Sequence, residues 1–162
     1  MNTNGKMKAI KQARAIRAAD EIEKRFAVAA KPVQKRKIKA VSIRQPWASM
    51  IAAGDKTIET RTWPTRYRGE LLICSSKGPI CRQLSGLPYG KALATARLAD
   101  CRPMTPTDEP AARCGWYDGA WAWVLEDIRA IERPFDVKGQ LGIYEVEIEV
   151  DRITKLTGKN GS

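Results

Sequence analysis

SIRQPWASMIAAGDKTIETRTW, residues 42–63, is the stretch around which the rest of the chain is arranged. An apolar run, Ala40 to Ile43, reads as a strand that enters Arg44-Gln45-Pro46-Trp47. Pro46 suits a helix start and Gly54 a helix stop, which predicts a short helix from Trp47 to about Ala53. Asp55 and Lys56 then lead into a second strand, Thr57 to Trp63. Side chains alternate between faces along a strand. Ile58, Thr60 and Thr62 therefore share one face, and Thr57, Glu59, Arg61 and Trp63 the other. Lys56 stands at the strand entrance, so Lys56, Glu59, Arg61 and Trp63 converge: two cations, one carboxylate and one aromatic ring.

Downstream, Pro64 ends that strand and Thr65 to Gly69 forms a basic turn with Arg66 and Arg68. Glu70 to Ser75 is almost continuously apolar, the pattern of a central strand buried on both faces. Ser76 to Pro79 reads as a loop and Ile80 to Leu84 as a short helix. Lys91 to Asp100 is alanine-rich and has helix propensity. A proline-rich loop, Pro103 to Pro110, leads to one helical turn over Glu109 to Cys114. Gly115 to Gly119 is a glycine-flanked loop carrying Trp116 and Tyr117. Trp121 to Ile131 reads as a strand, Pro134 to Gly139 as a turn and Leu141 to Val150 as a strand. In the last, Tyr144, Val146, Ile148 and Val150 face one way and Glu145, Glu147 and Glu149 the other. Many short strands, few short helices and frequent turns predict a small barrel rather than a doubly wound sheet.

Upstream, Lys6 to Ala30 favours helix, with Ile10, Ala13, Ile16, Ala19, Ile22 and Phe26 at steps of three or four. Lys31-Pro32 ends it, Gln34 to Lys37 reads as a basic linker, and Lys37 to Ile43 alternates into a strand. Residues 1–39 hold 12 Lys/Arg against 3 Asp/Glu, whereas residues 40–162 hold 17 against 15. Most of the net charge of +11 thus belongs to a basic arm carrying Lys8, Lys11, Arg14, Lys35, Arg36 and Lys37. Such asymmetry points to an acidic partner, nucleic acid first and an anionic membrane second. The expected organisation is an arm over 1–37, a domain over 38–152 and a polar tail over 153–162.

No apolar run is long enough to span a membrane, and the basic N-terminus lacks the apolar core of a secretory signal. A cytoplasmic protein without membrane association is the expectation. The four cysteines, at 74, 81, 101 and 114, include no closely spaced pair, and there is no histidine. That spacing gives neither a zinc site nor a disulfide framework, so reduced thiols are expected. The missing histidine removes Ser-His and Cys-His nucleophilic machinery, leaving Lys, Glu, Asp, Tyr and Cys for proton transfer. No cofactor is implied, and a divalent metal has no support in the sequence.

The segment from Ser42 to Lys77 resembles the ASCH (ASC-1 homology) family, whose fold is PUA-like. Its signature G-x-K-x-x-E-x-R is met in order by Gly54, Lys56, Glu59 and Arg61. Gly69 to Lys77, Lys91 to Met104 and Ala122 to Val146 resemble later segments of the same family, so the likeness covers about residues 38 to 150. It implies an α+β, mainly β architecture: a PUA-like small β-barrel flanked by short helices, here preceded by the basic helix. It also implies strand over Lys91 to Asp100, which is the reading adopted.

In that family the counterpart of Lys56 is held to be functional, both in members that bind RNA and in members that hydrolyse N4-acylated cytidine. A lysine can hold a phosphate as a point charge or, once buried, act as a base; its bland role is a surface lysine beside a turn. Glu59 and Arg61 are either an ion pair of little value if exposed, or a proton-accepting carboxylate and a guanidinium that grips phosphate or a base edge. Family amidohydrolases tend to carry a threonine where Glu59 stands, a departure that favours recognition of a cytosine amino group or general-base chemistry.

Arg44 and Gln45 are candidates to line the same cleft, with Ser75, Ser76 and Lys77 closing the third strand. Trp47 suits the core, while Trp116 and Tyr117 are either loop anchors or platforms for unpaired bases. The expected function is binding of RNA, single-stranded or through a modified nucleotide, by Arg44, Gln45, Lys56, Arg61, Ser76, Lys77, Trp116 and Tyr117. The alternatives are a ribonuclease or N4-acylcytidine amidohydrolase using Lys56 and Glu59, and an interaction domain whose N-terminal helix docks on a protein partner.

Overall fold

A computed structural model of the chain describes residues 3–29, 33–78 and 86–154. The chain divides into two units, residues 1–33 and 34–162. The first contains one helix, α1 (Thr3–Ala29). The expected apolar repeat is present, but Ile10, Ala13, Ile16, Ala19 and Ile22 fall at exact steps of three. At about 100° per residue such a series drifts by roughly 60° each step. The apolar residues therefore wind around the helix instead of forming one stripe, and Met7, Ile10, Ile16 and Ile22 are all exposed.

The second unit runs β1 (Lys35–Ile43), α2 (Trp47–Ala52), β2 (Ile58–Arg61), β3 (Gly69–Ser75), β4 (Lys91–Pro103), a 3-10 turn (Pro106–Asp108), α3 (Glu109–Ala112), β5 (Trp121–Asp136), β6 (Ile143–Glu149) and α4 (Asp151–Thr154). The six strands make one mixed sheet in the order β2-β5-β4-β3-β1-β6. The architecture is α+β and mainly β, as expected, although the hydrogen-bonded order is open at β2 and β6 rather than closed into a ring. Lys91 to Pro103 is strand despite its alanines. It pairs with β3 on one side and β5 on the other, and this tertiary pairing outweighs local helix propensity.

β3 is the central strand that its apolar run predicts. It lies parallel to β1 and antiparallel to β4. Leu71 and Ile73 point into a core with Val41, Ile43, Leu98, Trp123 and α2 residues Ala48 and Ile51. Leu72 and Cys74 point into a second core with Ile38, Ala40, Tyr144 and Ile148. Each such fully buried aliphatic side chain stabilises by about 1.5–3 kcal/mol. A third cluster, Ile58, Met104, Ala112, Ala120 and Ala122, joins β2 to the α3 region.

Three segments differ from the sequence reading. Lys35 and Arg36, expected in a linker, and Lys37, expected where the linker meets the strand, are the first residues of β1 and pair with β6. Their charges meet carboxylates: Lys35 with Glu147, Lys37 with Glu145, and Arg36 with both oxygens of Glu70. Pro134, expected in a turn, lies within β5. There β2 no longer flanks β5, so a residue without an N–H does not interrupt a ladder on that side. The second strand is shorter than expected, Ile58–Arg61 instead of Thr57 to Trp63. The expected short helix over Ile80 to Leu84 and most of the C-terminal tail lie outside the described residues. Among the described residues no helix is long and apolar enough to cross a membrane.

Candidate functional site

Pro46 stands just before α2, and Gly54 just after it at φ +82°, a conformation that favours glycine. The turn lets Asp55 N and Lys56 N both donate to Met50 O, at 2.9 and 3.2 Å. Lys56 is thereby carried under α3 rather than out to solvent. Thr57 N donates to Ala111 O (3.0 Å), Arg113 Nε to Asp55 O (2.7 Å), and Lys56 Nζ to Ala112 O. Arg113, with a left-handed φ of 53°, ends α3. Lys56 is among the largest fully buried side chains of the described residues, which replaces the picture of a surface lysine beside a turn.

Glu59 follows on β2, and its Oε2 is 3.5 Å from Lys56 Nζ. Arg61, two residues on and on the same face, brings Nε to 3.3 Å from Glu59 Oε1. That contact is an ion pair and not an aligned hydrogen bond, so Arg61 Nε is a buried polar atom without a hydrogen-bond partner. Arg61 Nη2 donates to Ser42 O at 2.9 Å, and the guanidinium lies 5.7 Å from the centre of the Trp123 ring. Trp123 meets Trp63 edge-on, with centroids 4.7 Å apart. The alternation read from the sequence thus places the four residues together. On the opposite face Thr60 Oγ1 sits 3.2 Å from Cys114 Sγ.

Burial sets the electrostatics. Desolvation lowers the Lys56 pKa below the usual lysine value, with the Glu59 charge pulling the other way. Desolvation raises the Glu59 pKa, opposed by the charges of Lys56 and Arg61. Both groups are therefore pushed toward their neutral forms, the condition that suits proton exchange.

These residues form one side of a cleft of about 740 Å³. Arg44, Trp47, Trp63, Ser76 and Tyr117 line it as well, with Ser42, Cys114 and the Gln140–Gly142 segment. Sequence reading did not single out this last group. Gly139 packs so closely on Ser42 that a Cβ there would fall 2.7 Å from Ser42 Oγ. This contact, between residues far apart in the chain, sets the segment at the cleft rim. The only local signal is the pair of glycines around Gln140 and Leu141.

The other sequence candidates are placed as follows. Gln45 is fully buried: its Oε1 accepts from Ser49 N (3.0 Å) and its Nε2 donates to Pro88 O (2.7 Å). Ser75 Oγ bonds the backbone of Lys91. Lys77 lines a neighbouring cavity. Trp116 is exposed, and its Nε1 donates to Met104 O. Lys8, Lys11 and Arg14 are exposed on α1, in the other unit. No group of three or more Cys, Asp or Glu able to hold a metal occurs among the described residues.

Comparison with known proteins identifies the family and the fold. Activating signal cointegrator 1 is 37% identical in its human form and 24% in its mouse form, over 135 residues each. Those matches span 71% of this chain, which covers 23% of the length of either relative. The crystal structure of ASCH from Zymomonas mobilis superposes with a TM-score of 0.52 at 16% identity, covering 67% of this chain and 86% of that one. A point mutant of the same bacterial protein gives 0.51 at 18% identity, with 68% and 91% covered. At these identities the structures show a shared fold. The ASCH domain model itself matches residues 41–135, more than half of the sequence, and the chain belongs to the ASCH domain family.

Proposed function

We propose that the cleft binds a nucleotide of single-stranded RNA. The observation that carries this reading is the Lys56–Glu59–Arg61 cluster in the wall of a cleft whose other sides include Trp47, Trp63 and Tyr117. The volume falls in the range of roughly 300–1,000 Å³ typical of small-ligand sites. Aromatic rings give a base a stacking surface, and a fixed guanidinium beside a carboxylate offers a donor and an acceptor to a base edge. Arg61 is held by Ser42 O and Trp123, so little side-chain freedom remains to be lost on binding.

The test is equilibrium binding of a panel of ribonucleosides and short single-stranded RNAs, with and without N4-acetylcytidine. Arg61→Gln is expected to weaken binding by at least about tenfold, the loss of one charge-assisted contact. Absence of binding to every member of the panel overturns the reading.

A hydrolase acting on RNA or on N4-acylated cytidine is the second reading. It is favoured by the opposed pKa shifts of Lys56 and Glu59, which bring a base and an acid closer to neutrality within 3.5 Å. Mass spectrometry of the same RNAs after incubation separates the two. Cleavage or deacylation that vanishes in Lys56→Ala establishes the enzyme, and unchanged masses leave the binding site.

A further inference from the structure

Two strips of chain separate the cleft from a second cavity of about 490 Å³. On the first, Ser76 lines the cleft while Lys77 and Gly78 line the second cavity. On the second, Val137 and Lys138 line that cavity while Gln140 and Gly142 line the cleft. Backbone bonds hold both strips: Ser76 N donates to Ile43 O (2.8 Å), Gly90 N to Ser76 O (3.3 Å) and Val137 N to Gly90 O (2.9 Å).

The lysines of the sheet unit sort sharply. Among the described residues, Lys35, Lys37, Lys39, Lys56 and Lys91 each stand in an ion pair. Lys77 and Lys138 are the two that do not, and both line this one cavity. The carboxylate among its lining residues, Asp136, is already engaged by Lys91 at 2.8 Å. Two exposed ammonium groups on one concavity, with the local acid neutralised, attract an anion. A lysine suits phosphate as a point charge.

We propose that this cavity is a phosphate subsite, so that a single strand with one base in the cleft lays its flanking backbone phosphate against Lys77 and Lys138. The inference rests on the nucleotide reading of the cleft and extends it from one nucleotide to a chain. It assigns Lys138 a ligand-binding role and gives Lys77 a place outside the base pocket.

The test compares wild type with Lys77→Gln/Lys138→Gln, using the four ribonucleosides and the four homotrinucleotides over a range of salt. Both lysines are exposed, so the double variant keeps its fold. The expected result is unchanged nucleoside affinity, trinucleotide affinity lower by about tenfold, and a log–log salt slope shallower by about 0.7 for one lost phosphate contact. Unchanged trinucleotide affinity and slope in the double variant overturn the subsite while leaving the cleft reading intact. Trinucleotides that bind wild type no tighter than nucleosides overturn it too. Wild type that binds neither ligand removes both readings together.

Discussion

Lys56 Nζ lies 3.5 Å from Glu59 Oε2, with the two side chains only 2% and 11% exposed. A buried ion pair is costly to break from one side, because the remaining charge stays in a poor solvent. Lys56→Met is therefore expected to destabilise the domain by about 3 kcal/mol. The double variant Lys56→Met/Glu59→Met should recover at least half of that loss while abolishing ligand binding. Urea unfolding of the four proteins of this cycle checks it. If the double variant is as unstable as the sum of the singles, the pair is not the source of the cost.

The same pair sets a pH dependence of stability. The Glu59 pKa is raised in the fold from an ordinary 4.5, chiefly by burial. Above 4.5 the unfolded chain has already lost this proton while the folded chain still holds it, so stability falls as pH rises from 4.5 through the folded value. Lys56, lowered from 10.5, contributes in the opposite sense: stability rises with pH between its folded value and 10.5. Glu59→Gln should remove the acid-side slope. Denaturant midpoints at half-unit pH steps upward from 4.5 measure it, and an identical slope in the variant excludes Glu59 as its origin.

Asp108 works in a lower window. Both its oxygens accept from Arg102 at 2.7 Å, and Thr105 N donates to it at 2.9 Å, closing a capping box before α3. The Arg102 guanidinium holds this carboxyl well below its ordinary 3.8. Its contribution is therefore present above pH 3.8 and lost as pH falls below it. Asp108→Ala is expected to cost about 2 kcal/mol at neutral pH, the upper range for a cap. It should also weaken ligand binding, because the segment that it anchors supplies Ala112 O to Lys56. Thermal melts and nucleotide titrations on one preparation report both effects.

Gly139 and Ser42 make a contact that can be moved and restored. A methyl group at Gly139 would meet Ser42 Oγ at 2.7 Å, so Gly139→Ala must displace the loop that carries Gln140 and Leu141. Overpacking of this kind costs about 1–3 kcal/mol. Ser42→Ala removes the obstructing oxygen along with its 2.9 Å hydrogen bond to Tyr144 Oη. Gly139→Ala/Ser42→Ala should accordingly lie closer to Ser42→Ala in stability than additivity allows. A strictly additive cycle by chemical denaturation rules the contact out as the cause.

Removal of residues 1–33 takes away eight basic and three acidic residues. If α1 touches phosphates, its loss flattens the salt dependence of RNA affinity, and an unchanged slope assigns all phosphate contacts to the sheet unit. The cut cannot pass Val33. Gln34 O accepts from Val150 N at 2.8 Å, and Lys35 already belongs to β1.

The central strand was legible because the apolar run after Gly69 is too short for a buried helix and has the length of a buried strand. The faces of β2 and β6 were legible because alternation has a fixed period of two. Lys91 to Pro103 was not legible from propensity: its alanines favour helix, and only pairing on both edges makes it strand. The Lys35–Lys37 segment read as a charged linker because its carboxylate partners, Glu70, Glu145 and Glu147, are remote in sequence.

The site divides in the same way. From the spacing of Gly54, Lys56, Glu59 and Arg61 alone, the sequence determined that two cations and a carboxylate meet at one end of a short strand, since strand geometry is local. Only the tertiary structure decided that Lys56 is buried, that Ala112 O caps it and that the segment at 140–142 walls the cleft. Burial and its electrostatic consequences depend on which distant segments cover a side chain, and that is settled when the whole sheet is assembled.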